Sequence, residues 1–417
     1  MTNPQPLDPS PRPRLHGFDS LRAWAMLLGV VLHVVLAFLP GINVIIGWPI
    51  VDKNPTPVAG LLVVAIHTFR MPLFFFVSGL LTALSFRSRG TGPALRSRLI
   101  RIGVPFLVGF VTIIPAVRFA GAFALTHGGP LAGQSTWQTI LGGIHADPWM
   151  RLLSPAHLWF LQYLLIYVLA TAAIMRFCGS KSMQRRPWSV AAGTLGHAGG
   201  VVLACLFMAF MQGASIDTPL TLVPLWHVLA YYGVFFGAGA VVALRARSLD
   251  TLVPLPPLMA LAGLVFAVAF SIAATIAESI ARGDAGEPVP AATVFIKPLA
   301  LASQPFLWLS IIGFSAWAAR PRKPLSGLID RIFRASYWTY LVHLPAAWII
   351  HALLRDTGGD SPGGGLLRFL LVLTLTTLVC QLTYELLVAR TPLARFLDMR
   401  AGASATAHAS AAPATRS

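Results

Sequence analysis

Apolar runs of about 20 residues, the length that crosses a bilayer as a helix, recur along this chain. They fall at 19–40, 58–86, 99–120, 156–176, 195–213, 222–244, 253–278, 293–319, 335–354 and 366–389. In hydrocarbon a backbone must satisfy its own hydrogen bonds, so each run is expected to be helical. Composition agrees: 56% of the 417 residues are hydrophobic and only 11% charged, against about a quarter charged in soluble domains. The expected fold is an all-α polytopic integral membrane protein of about ten transmembrane helices.

The net charge of +17 would suit nucleic acid, but no basic-aromatic motif accompanies it, and no nucleic-acid partner is expected. Topology explains it better, since basic residues collect on the cytoplasmic side. With the N-terminus inside, Arg87, Arg89, Arg96, Arg98 and Arg101 fall inside, as do Arg176, Lys181, Arg185 and Arg186. Only Lys53, Arg118, Arg151, Arg282, Lys297, Arg355 and Arg368 fall outside. This alternation places both termini in the cytoplasm. Residues 1–17, Pro-rich, read as a disordered tail, 18–398 as the transmembrane domain, and the Ala-rich 399–417 as a second disordered tail. The first span has no clear cleavage site and reads as uncleaved. Loops 121–155 and 355–365 are Gly-rich, and the second reads as flexible. Cys178, Cys205 and Cys380 form neither a disulfide framework nor a zinc pattern, so no metal or bound cofactor is expected.

Ionisable residues inside a membrane are costly and mark candidate sites. Arg22 and His33 on the first helix are 11 residues apart. Three turns place them on one face but ~16 Å apart along the axis, so they do not touch. His67 and Arg70 on the second helix are three apart, neighbours on one face. Arg70 lies too deep to snorkel and needs an anionic partner, a polar cavity or a substrate. The ninth helix carries Ser336, Tyr340 and His343 as a polar stripe, the fourth opens with His157, and the tenth carries Glu385. The plainer reading of each histidine is a hydrogen bond between helices, and that of Arg22 is a topological anchor. The expected cavity brings His33, His67 and Arg70 together.

An imidazole out of water stays neutral and can act as a general base. It could deprotonate a sugar hydroxyl for attack on an acyl thioester. A nearby arginine could hold a carboxylate or an oxyanion, and arginines at the inner surface could hold donor phosphates.

The run RLHGFDSLRAWAMLLGVVLHVVLAF, with Arg22 and His33 separated by ten residues, resembles the first helix of the acyltransferase family 3 membrane proteins. HTFRMPLFFFVSGLLTALSFRSRG resembles that family's second helix. HLWFLQYLLIY, YWTYLVHLP and TYELLVARTPLARFL extend the likeness to the end of the last helix, closest to members that succinylate osmoregulated periplasmic glucans. The resemblance implies an inner-membrane enzyme with acyl-CoA (succinyl-CoA or acetyl-CoA) as donor and a periplasmic glucan as acceptor. It implies His33 as catalytic base, with Arg22 and Arg70 as motif arginines. Roles for His67, His343, Tyr340, Glu385 and His157 come from their positions alone. Besides the acceptor and acyl-CoA, membrane lipid is an expected partner, and a homodimer stays open. One rival is an O-acetyltransferase of another envelope carbohydrate. Another is a transporter or flippase, which would need internal repeats; Pro72, Pro105, Pro298 and Pro345 do not recur in register.

Overall fold

A computed structural model describes residues 16–127, 129–146, 153–177, 190–245, 257–284, 287–320 and 327–397. Of the expected tails 1–17 and 399–417, residues 1–15 and 399–417 lie outside them, as does Cys178, while His16 and Gly17 open the first helix. All regular structure among the described residues is helical. The principal helices are α1 (His16–Val35, continued by a 3₁₀ turn Leu36–Phe38), α2 (Ile42–Ile46), α3 (Pro57–Arg89) and α4 (Thr91–Arg98). Then come α5 (Val104–His127), α6 (Thr136–Ala146), α7 (Trp159–Phe177), α8 (Val190–Ala209), α9 (Trp226–Arg245) and α10 (Pro257–Arg282). The chain continues with α11 (Thr293–Ala319), α12 (Gly327–Leu354), α13 (Pro362–Tyr384) and α14 (Ala394–Leu397).

Eight helical segments among the described residues are long and apolar enough to cross a membrane. Two of the ten expected runs fall short by that measure. The apolar part of α8 is Gly193–Ala209, too short, and α12 is diluted by Tyr340, His343 and His351. Polarity is partly inverted: Val111 and Leu258 are 72% and 74% exposed, while His343 and Arg368 are fully buried. Apolar side chains face outward, as lipid requires, and the polar ones turn into the bundle.

The ends are capped by their sequences. Thr56 accepts from the Val58 N–H ahead of Pro57, and Ser361 does so from Gly364 ahead of Pro362; proline at the first position gives up only an N–H that has no helical partner. The expected loop 121–155 is partly helical, since α5 runs on to His127 and α6 follows. The expected flexible loop 355–365 is instead pinned. Arg368 donates to the carbonyls of Thr357 (2.7 Å) and Gly359 (2.8 Å), and Asn54 donates to that of Asp360. Tertiary hydrogen bonds override glycine's local freedom here.

α1 and α12 run parallel, in contact. Trp24 packs on Phe333 near their starts, His33 on His343 midway, and Phe38 on His351 further along. This pairing, with α3 beside it, positions the polar centre.

Candidate active site

His33 and His343 face each other across α1 and α12. Nδ1 of His33 lies 2.6 Å from Nε2 of His343. Their rings lie edge to edge and nearly coplanar, with centroids 4.9 Å apart and 2° between planes. Nδ1 of His343 lies 2.7 Å from the Tyr340 carbonyl and 3.2 Å from that of Thr339. Carbonyls only accept, so this Nδ1 carries the hydrogen, and neutral His343 offers a lone pair at Nε2. His33 therefore donates from its own Nδ1. Its Nε2 is left as the unprotonated nitrogen, the form a general base needs.

His157 completes the cluster, its ring 6.3 Å from that of His33 and 5.4 Å from that of His343. It sits in the 3₁₀ turn Ala156–Leu158, just after Ala156 at φ +44°. A left-handed alanine is strained, and such strain gathers at functional sites. Its Nε2 donates to the Leu341 carbonyl at 2.9 Å. That acceptor is available because Pro345, four residues on, has no N–H to return to it. The Tyr340 hydroxyl donates to the His157 carbonyl at 3.2 Å, tying the turn to α12.

Arg70 reaches this cluster from α3. Its guanidinium carbon is 6.0 Å from the centre of the Tyr340 ring. It is 4% exposed, and its Nε and Nη1 are buried without an acceptor. Among the described residues no carboxylate pairs with it. Gly29, one turn before His33, makes room: a Cβ there would lie 2.2 Å from Arg70 Nη1. A buried cation without a counter-ion costs several kcal/mol. In a site it can hold a carboxylate or stabilise a developing oxyanion.

The other expected residues lie elsewhere. His67 bonds through Nε2 to the Ile216 carbonyl at 3.1 Å. It lines a separate cavity of about 20 Å³ with Tyr231, Ser303 and Gln304, room for about one water. Glu385 begins a π-turn, Glu385–Ala389, at the far end of α13; no hydrogen bond or ion pair among the described residues joins it to the histidines. Arg22 lies near the start of α1, within electrostatic reach of Asp19, Tyr337 and Arg98, and Arg89 and Arg101 also act on Arg98. A basic group thus forms at that end.

Sequence reasoning missed three features. Gly29 carries a faint signal, four residues before His33. Trp48 stands 6.0 Å from His33, and Trp348 5.0 Å from Trp48; their spacing along the chain gives no hint of it. The third is a buried clasp in which Asp52 accepts from Arg368 Nε and Nη2 (both 2.8 Å) and pairs with His351 Nε2 (2.9 Å).

The chain belongs to the acyltransferase family 3: the family's acyltransferase domain matches residues 15–385. Its eight long apolar helices, among the described residues, make it a multi-pass membrane protein. It is similar to Glucans biosynthesis protein C of Salmonella paratyphi B and of Salmonella heidelberg, 28% identical over 179 residues in each, 42% of this chain and 43% of the relative. The chain thus spans less than half the length of the curated relatives it matches. No solved structure matches it.

Proposed function

We propose that this chain is an inner-membrane O-acyltransferase that moves an acyl group, succinyl in the preferred form, from cytoplasmic acyl-CoA to a hydroxyl of a periplasmic glucan. The observation that carries the reading is the His33–His343 pair, whose hydrogen-bond order leaves His33 Nε2 as base. This nitrogen takes the proton of the sugar hydroxyl as its oxygen attacks the thioester carbonyl. Negative charge gathers on the carbonyl oxygen, and the Arg70 N–H groups without acceptors stabilise it. Collapse of the intermediate forms the ester and expels the CoA thiolate, which takes the proton back from His33. The basic group around Arg22 and Arg98 suits the donor's phosphates. His343, Tyr340 and His157 hold the base in place. The glucan acceptor rests on the likeness to the Salmonella proteins.

Mass spectrometry of periplasmic glucans tests this in cells with the protein, without it, and with His33→Gln. Succinyl mass increments are expected in the first alone. Acetyl increments would shift the donor. Identical glucans in all three would remove the acceptor.

A further inference from the structure

Beside His33 stands Trp48, and against Trp48 stands Trp348. Trp48 comes from the segment between α2 and α3, Trp348 from α12, five residues after His343. Their rings meet edge to face at 5.0 Å and 86°, and Trp48 lies 6.0 Å from the His33 ring. Both are half-buried. Trp348 is backed by α5, where a Cβ on Gly121 would come within 3.2 Å of its ring. The indole N–H of each is buried with no acceptor. Indoles elsewhere in the bundle do find one: Trp308 donates to His197 Nδ1 (3.4 Å) and Trp338 to Thr383 Oγ1 (3.0 Å). A buried indole normally has a partner, and leaving one without costs about 1–3 kcal/mol. Packing alone would be served as well by phenylalanine. Two indoles whose donors lack acceptors thus stand in line from the His33 ring.

We propose that Trp48 and Trp348 seat the acceptor sugar, their ring faces stacking on its C–H face and their N–H groups donating to its hydroxyls. The inference rests on the transferase reading for the chemical class of the acceptor. It orders the site along α1: acyl carbonyl at Gly29 and Arg70, base at His33, acceptor at the tryptophan pair. These are acceptor-binding residues, separate from the chemistry at His33.

The test uses the full chain in lipid nanodiscs, with succinyl-CoA and a short neutral gluco-oligosaccharide as probes. Trp48→Phe and Trp348→Phe, singly and together, keep the rings and remove the N–H groups. The double variant is expected to raise the acceptor KM about tenfold or more, with the donor KM and the melting temperature held. Equilibrium dialysis of the oligosaccharide without donor should show the same weakening. An unchanged acceptor KM and unchanged binding would reduce the pair to packing. Equal rises in both KM values, or a fall in melting temperature matching the loss, would do the same. If the wild type transfers nothing yet binds the sugar, and the variant binds it more weakly, the seat stands and the transferase reading falls. If the wild type neither transfers nor binds, both fall.

Discussion

His33 Nδ1 donates to Nε2 of His343 over 2.6 Å, and His343 Nδ1 in turn donates to the Tyr340 carbonyl. The pair fixes a tautomer as well as a position. His33→Gln should lower transfer by about 10²–10⁴, the usual worth of a general base. His343→Gln should cost about tenfold, one hydrogen bond's worth, and should displace the pH profile of kcat, which a purely structural loss would leave in place. Steady-state rates across pH separate the two.

Gly29→Ala places a methyl 2.2 Å from Arg70 Nη1 and 2.8 Å from Tyr340 Cε2. Alanine is the better helix former by about 1 kcal/mol, so helix stability should not suffer. The guanidinium must move, and transfer should fall about a hundredfold, the cost of a misplaced catalytic contact. Comparing transfer rate with melting temperature checks this.

Arg70→Met trades a buried unpaired charge for a packed apolar chain. Transfer should be abolished, while the substrate-free protein becomes more stable by about 1–3 kcal/mol. Thermal unfolding in detergent, with and without donor, reads both signs. Equal or lower stability in the variant would mean that Arg70 already has a partner.

Asp52 lies in the segment between α1 and α3. Burial alone would raise its carboxyl, but hydrogen bonds from His351 and Arg368 outweigh this and hold it below the usual carboxylate range. A lowered folded value stabilises above the unfolded value of ~3.9 and stops doing so as pH falls through the folded one. The melting temperature should therefore carry the clasp's full contribution at neutral pH and lose it progressively below about pH 4. Asp52→Asn should remove ~3–5 kcal/mol at neutral pH, the cost of breaking a buried pair, and flatten the acid limb.

Pro345→Ala restores an N–H that can reclaim the Leu341 carbonyl from His157. Helix propensity rises by about 3 kcal/mol, yet His157 loses its 2.9 Å acceptor. Transfer is expected to fall roughly tenfold, with a melting temperature that holds or rises, measured on the same preparation.

The sequence determined what depends on neighbours along the chain. Apolar length made the segments helical, because no other spanning backbone satisfies itself. The helical period placed Arg22 and His33 on one face, three turns apart, and singled out Arg70 as too deep to reach water. Only tertiary structure decided which groups meet. His33 finds His343 310 positions away, a pairing set by the parallel docking of α1 on α12. His67, three residues from Arg70, points some 60° around α3 and so enters a different cavity. The Gly-rich 355–365 segment is ordered by carbonyl contacts to Arg368, whose own charge is held by Asp52. Periodicity fixes the face a side chain occupies. What that face meets depends on how the helices pack, and no local spacing records it.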